Sequence, residues 1–361
     1  MRALFSKGEY MTEVMDCNDR IKEIRADKKL KHADISEITG YSPNTVKKWL
    51  TAKDSKHYQV APVQALKLME QWLSEGAKPI FQMSTEPSLP SALAEVWALT
   101  NHKGGSGKTT SVINFALMLS KQNSEIDPTR KNNVLIVDAD FQQNATKSLV
   151  PFPNDIKLSI SDLLRLNDSG KTYSYKKSDV KYDVLGVDLL AATNTMSSDI
   201  AGIEPHDLVF ALKEILEWFK PHYDYILIDG LPSKGSWYVS VIAAADKVVI
   251  PFKPNKFDVW GVSDVFEHVK KLRIREINKK VRVAAVFCSD VARPYRILDK
   301  VILEEVQDRY PDVFCPTTIK NTVKVKEGCD AYPPQSVADY DPKHDVAEDY
   351  RQVLDFIKNA K

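Results

Sequence analysis

The run Lys103-Gly104-Gly105-Ser106-Gly107-Lys108-Thr109-Thr110 limits what this chain can fold into more than any other feature. Val96–Thr100 before it is apolar and suits a buried strand. The residues after it place Val112, Ile113, Phe115, Ala116, Leu117 and Leu119 on what reads as a buried helix. A strand, a glycine-rich turn and a helix make a P-loop. Its backbone N–H groups point at phosphate oxygens, Lys108 reaches the β/γ-phosphates, and the Thr109 hydroxyl ligates Mg²⁺. Glycine is needed there because the backbone must approach the phosphates with no Cβ in the way. The ordinary pattern G-x-x-x-x-G-K-S/T would put glycine at 102, where this chain has His102. The match is to the deviant form K-G-G-x-G-K-T, with a second lysine, Lys103, in front. The expected ligands are ATP or ADP with Mg²⁺.

At 361 residues, about two domains are expected. The formal charge of +1 argues for neither nucleic acid nor membrane globally, so any basic surface has to be local. The four cysteines, Cys17, Cys288, Cys315 and Cys329, show no C-x-x-C and no metal spacing. They read as thiols of a reducing compartment, which disfavours an iron–sulfur cluster. With no apolar leader and no apolar run approaching about 18 residues, the expectation is a soluble intracellular protein.

Residues 1–80 are polar and helix-like, 81–95 hold a proline-bearing linker, and the texture changes from 96 to 361. There, short β-branched runs alternate with longer amphipathic segments, the pattern of a parallel α/β sheet. Strands are expected at Val96–Thr100, Val134–Val137, Val187–Ala191, Tyr225–Ile228, Lys247–Pro251, Val283–Cys288 and Val313–Ile319. Helices are expected at 109–121, 205–220, 236–244, 258–277, 294–309 and 343–358, with 122–133 and 150–184 as polar surface excursions. The fold class is therefore α/β, a mostly parallel P-loop NTPase sheet preceded by an all-α domain.

Three strand ends add carboxylates and a loop to the P-loop. Val134–Val137 delivers Asp138 and Asp140, Tyr225–Ile228 delivers Asp229, and Lys247–Pro251 leads into a loop ending near Gly261. Ligands bind at the carboxyl edge of such sheets, and an Asp there can hold the Mg²⁺ shell. A strand-terminal Asp on its own also serves simply to cap the next helix; the order of all three after a deviant P-loop is the specific signal.

On these residues the chain resembles the ParA family of plasmid and chromosome partition ATPases, relatives of MinD and the nitrogenase iron protein. The resemblance spans about residues 96–358. It rests on the P-loop, Asn114, Asp138-x-Asp140-x-Gln142, Asp229 with Pro232, the 251–261 loop, Ile319–Gly328 and Tyr340–Pro342. It implies a homodimer sandwiching two ATP molecules, with Lys103 crossing to the partner's nucleotide and Asp140 positioning the attacking water. Residues 103–110, Asp229 and Pro251 would hold the nucleotide, and Thr109, Asp138 and Asp229 the metal. Catalysis would fall to Lys103, Lys108 and Asp140. Two positions depart from the family pattern. Phe141 stands where Pro is usual, and Gly230-Leu231-Pro232 replaces a run with Pro-Pro, both in loops that would sense the γ-phosphate.

His32–Leu50 has the pattern of a helix-turn-helix. Ile35 and Ile38 give a first buried face, Gly40 allows the turn, Ser42 and Pro43 suit a helix start, and Val46, Trp49 and Leu50 face inward. Asn44, Thr45, Lys47 and Lys48 are then the side chains offered to DNA. A helical hairpin that only packs or dimerises is the alternative. A second basic region, Lys270 to Arg282, reads equally as a solvated face. The resemblance favours Arg293, Lys320 and Lys324 for salt-sensitive, nonspecific DNA binding.

Together these imply a cytoplasmic, nucleoid-associated partition ATPase. It would bind nonspecific DNA as an ATP dimer, respond to a ParB-like centromere-binding partner and use its N-terminal domain on an operator. A conjugation accessory or other cargo-positioning ATPase is the nearest rival. A MinD-like regulator would need a membrane helix with a stronger apolar stripe than Asp345–Lys361 offers. A small-molecule enzyme would have no use for a helix-turn-helix.

Overall fold

The computed structural model describes residues 17–39, 43–53, 55, 61, 63–74, 93–150, 156–168, 179–180, 186–233 and 235–360. The chain divides into two compact units, Met1–Leu89 and Pro90–Lys361.

The described part of the first unit is helical: α1 (Cys17–Asp27), α2 (His32–Thr39), α3 (Pro43–Leu50) and α4 (Val63–Ser74). Ile21 and Ile24 of α1, Ile35 of α2, Val46 and Trp49 of α3, and Ala65 and Met69 of α4 close one small core, with Ile38 and Leu50 at its margin. Asn18, fully buried, locks it. Its amide donates to the Trp49 carbonyl at 3.0 Å, and its oxygen accepts from the Ala61 N–H at 2.5 Å. Lys47 and Lys48 are exposed. The turn at 40–42 and the side chains of Asn44 and Thr45 lie outside the described residues.

The second unit is built on six parallel strands, β1 (Glu95–Leu99), β2 (Val134–Asp138), β3 (Asp188–Leu190), β4 (Tyr225–Asp229), β5 (Lys247–Phe252) and β6 (Arg282–Cys288), in the order β3-β2-β4-β1-β5-β6. Alternation along each strand feeds two cores. Val96, Ala98, Leu135, Val137, Ile226 and Ile228 pack under α9 (Pro205–Glu217), α10 (Ser236–Ala244) and α11 (Lys256–Ile274). Trp97, Leu99, Ile136, Leu227 and Phe287 pack under α5 (Lys108–Leu119) and α15 (Asp345–Asn359), and the shorter helices α6 (Asn144–Leu149), α8 (Met196–Ala201), α12 (Ile297–Arg309), α13 (Val323–Asp330) and α14 (Val337–Tyr340) lie between these elements in the chain. Leu99 and Asp138 both stand in register with Asp229, so the ends of β1, β2 and β4 meet at one rim.

Two expectations need correction. Val313–Ile319 is not a strand. It bonds the outer edge of β6 through an isolated bridge between Val286 and Phe314 and through the Ile319 N–H to the Cys288 carbonyl, and Pro316 between them, which has no N–H, interrupts the ladder. Nor is 150–184 only a surface excursion. Within it, α7 (Ile160–Asp168) buries Ile160, Leu163 and Leu164 at the i, i+3, i+4 spacing of a core-facing helix. In 122–133 the surface loop is tied down, since Arg130 pairs with the buried Asp224 at 2.6 Å.

Gly230 has a steric reason. A Cβ there would stand 2.8 Å from the Leu99 carbonyl oxygen, because the Gly230 N–H bonds that same oxygen at 3.0 Å.

Candidate nucleotide site

The P-loop leaves β1 and enters α5 through two residues in the left-handed region, Gly105 (φ 75°) and Gly107 (φ 87°). An L side chain at either would be strained. Three side chains fix the loop. The Asn101 oxygen accepts from the Lys103 N–H at 3.2 Å, while its amide donates to the Pro251 carbonyl at 2.9 Å. Ser289 at the end of β6 donates to the Ser106 carbonyl at 2.7 Å. Lys108 donates to the Lys103 carbonyl at 2.9 Å, folding its ammonium under the loop.

Lys108, Thr109, Asp140, Gln142 and Pro232 share the wall of a cavity of about 480 Å³. Thr109 donates to one Asp229 oxygen at 2.7 Å; the other oxygen is buried with no hydrogen-bond partner. Each Asp138 oxygen accepts from a backbone N–H, that of Asp140 (3.1 Å) and that of Thr146 (2.8 Å). Burial pushes the Asp229 carboxyl well above the ordinary carboxylate range, and the neighbouring Asp138 adds to the shift. Burial also raises Asp138 to about 6, against the pull of the Thr146 and Asp140 N–H groups. Lys108 is lowered by burial and drawn back by Asp229, Asp140 and Asp258. An orphaned carboxylate oxygen beside a threonine hydroxyl suits a hard divalent cation, and the cradle of glycines with a buried lysine suits the phosphates it would accompany. The residues present fit Mg²⁺ and a nucleotide.

Other expected site residues fall elsewhere. Pro251 lies buried in β5, and its carbonyl serves Asn101. Lys103 is exposed, its ammonium 5.8 Å from the Phe257 ring centroid. Asn114 is a structural residue, donating to the Thr110 carbonyl and accepting from the Val337 N–H. Arg293 donates to Thr318 and stacks on Tyr295, while Lys320 pairs with Asp345 and Lys324 with Glu327. Asn101 and Ser289, which hold the loop, escaped the sequence reading, as did Lys253 and Asp290, which line a second cavity beside Gly105 and Gly107. Asp290 was within reach of that reading, since it follows a strand end as Asp138 and Asp229 do. Lys326 lines both cavities.

A family model described as an AAA domain matches residues 94–283, more than half the chain. Soj, the sporulation initiation inhibitor protein of Bacillus subtilis strain 168, is 29% identical over 269 residues, 74% of this chain and 98% of Soj. The chromosome partitioning protein ParA of Myxococcus xanthus strain DK1622 is 26% identical over 259 residues, 72% of this chain and 86% of that protein. The chain belongs to the ParA family of P-loop ATPases. In fold, this ParA-family chain is similar to an ATP complex of McdA from Cyanothece, with a TM-score of 0.62 at 17% identity over 74% of this chain and 98% of that one. The family match begins at residue 94, so it leaves the helical first unit outside the ParA-family region. No described helix is long and apolar enough to cross a membrane.

Proposed function

We propose that this chain is a DNA partition ATPase whose ATP-bound dimer holds nonspecific DNA and lets go on hydrolysis. The observation that carries the reading is the sharing of one cavity by Lys108, Thr109 and Asp140, with the Asp229 carboxylate bonded to Thr109 behind them. Residues 103–110 cradle the phosphates through backbone N–H groups, and Lys108 supplies the fixed charge. Thr109 and Asp229 face the metal, with Asp138 holding the strand end in shape. Bound Mg²⁺ supplies charge neutralisation at the β/γ-phosphate oxygens. Asp140 orients the attacking water, and positioning and charge suffice because phosphoryl transfer asks for little covalent chemistry. Lys103 leaves Phe257 to reach the nucleotide of a second subunit.

Residues 96–361 form the ATPase domain, 81–95 the linker, and 1–80 a helix-turn-helix that uses Asn44, Thr45, Lys47 and Lys48 on an operator. Arg293, Lys320 and Lys324 contact DNA phosphates after giving up their present partners. A ParB-like centromere-binding protein stimulates hydrolysis, and the cycle runs in the cytoplasm on the nucleoid. Binding to random-sequence duplex DNA, measured with no nucleotide, ADP, ATP and a slowly hydrolysed analogue at two salt concentrations, tests the reading. ATP-selective, salt-sensitive binding is expected; binding indifferent to nucleotide would move the weight to a small-molecule enzyme of the same class.

A further inference from the structure

The backbone of Lys103 is fixed while its side chain is not. Its N–H donates to Asn101 at 3.2 Å, and its carbonyl accepts from Lys108 at 2.9 Å and from the Ser106 hydroxyl at 3.3 Å. The chain just beyond it borders open space, since a Cβ added at Gly104 or Gly105 would meet nothing within 4 Å. The ammonium therefore has room to swing on an anchored main chain.

Its resting place is an aromatic face at the start of α11. The Lys103 ammonium lies over the Phe257 ring, 5.8 Å from the centroid, and makes no ion pair among the described residues. Trp260, one turn on, meets Phe257 edge to face, with centroids 5.6 Å apart and planes at 88°. Phe257 is 66% exposed and Trp260 63%, so neither ring serves the core. Single exposed apolar side chains are ordinary, but an adjoining pair beside an exposed cation offers it the negative face of a ring. The turn that presents the pair is stiff. Asn255 caps α11 by accepting from the Asp258 N–H at 3.1 Å, and the Asp258 carboxylate accepts from the Lys253 N–H at 2.9 Å and from the Asn255 amide at 3.0 Å.

We propose that Phe257 is a positioning residue that retains Lys103 on its own subunit, so that each lysine has to leave an aromatic face before it serves a second subunit's nucleotide. The inference rests on the ATP-dimer reading above. The ring sets how readily two ATP-loaded subunits close, and it leaves the grip of one subunit on its own phosphates alone, because Lys108 and the loop N–H groups stay in place during the swing. A cation–π contact at an exposed site biases the two positions roughly two- to fivefold. A symmetric dimer moves two lysines, so the bias enters the dimer dissociation constant twice, as about 4- to 25-fold.

The electrostatics of the ring can be changed while its shape is nearly kept. The full-length chain is prepared with Phe257 replaced by mono-, di- or trifluorinated phenylalanine, each fluorine draining charge from the ring face. In nucleotide-free protein carrying isotope-labelled lysine, the Lys103 ε-methylene protons, assigned by their loss in Lys103→Met, are expected upfield under the ring current of Phe257. In Phe257→Leu they return to ordinary positions. Sedimentation with a slowly hydrolysed ATP analogue is expected to show a dimer that tightens with each added fluorine, by roughly 4- to 25-fold for the trifluorinated ring. The Kd of the dilute, monomeric chain for ATP stays the same across the series.

An unshifted Lys103 signal overturns the proposal, and so does a shift that survives Phe257→Leu. A dimer that weakens as fluorines are added overturns it too and makes Phe257 a packing contact of the closed dimer. If the unmodified chain does not self-associate with the ATP analogue, the dimer reading falls and takes this inference with it. Self-association that ignores the fluorine content sinks this inference alone.

Discussion

With its ammonium buried and bonded to the Lys103 carbonyl, Lys108 is already aimed and desolvated before any phosphate arrives. Lys108→Ala should therefore weaken ATP binding by roughly 10- to 100-fold, the range for losing a hydrogen bond to a charged group, as read by isothermal titration. Asp140→Ala should do the opposite: bind ATP normally and lose turnover by roughly 100-fold or more. Retained turnover in that variant would remove Asp140 from the chemistry. Asp138 makes a pH prediction. Its folded value of about 6 lies above the unfolded value of about 3.9, so between the two the folded chain holds more protons than the unfolded one. Asp229, raised further by burial and by its neighbour Asp138, adds to the same slope, so stability should fall as pH rises from about 4 through about 6, and Asp138→Asn should lessen that fall in urea unfolding without removing it.

At the scale of elements, the strap between β1 and α11 is the most sensitive joint. A Cβ at Gly261 would stand 2.1 Å from the Asn101 oxygen that fixes the Lys103 N–H. Gly261→Ala should cost about 1–3 kcal/mol of stability, as overpacking does, read as a lower melting temperature in thermal scans, which should also show a smaller gain in melting temperature from ATP. That joint was hidden in the sequence, where Asn101 and Gly261 are simply distant loop residues. What was legible followed from periodicity and spacing. The six strands stand out because parallel strands buried on both faces are continuous apolar runs, and Asp138, Asp140 and Asp229 stand out because they end such runs. The 313–319 segment misleads for the same reason: it has a strand's composition, and only Pro316 betrays the broken ladder. Helix α7 is missed when its polar surroundings are averaged in, although Ile160, Leu163 and Leu164 carry the right spacing. Contacts between elements far apart in sequence, such as Ser289 to Ser106 or Trp237 to Ala139, have no local signature at all.

For the molecule as a whole, the two units predict separable losses. Removing residues 1–80 should abolish operator binding in a footprinting assay and leave ATP-dependent, salt-sensitive binding to random duplex intact. Loss of both would mean that the first unit serves dimerisation instead. The sheet of the second unit carries one more consequence. Its outer strands would be templates for unwanted pairing if bare. On one side β3 is only three residues long. On the other, the stretch from Val313 to Asn321 lies along β6, exchanging bonds with Val286 and Val291 and donating from Ile319 to the Cys288 carbonyl. With one outer strand short and the other covered, the sheet is guarded against edge-to-edge aggregation at high local concentration, and copies of the chain can be packed densely without seeding fibres.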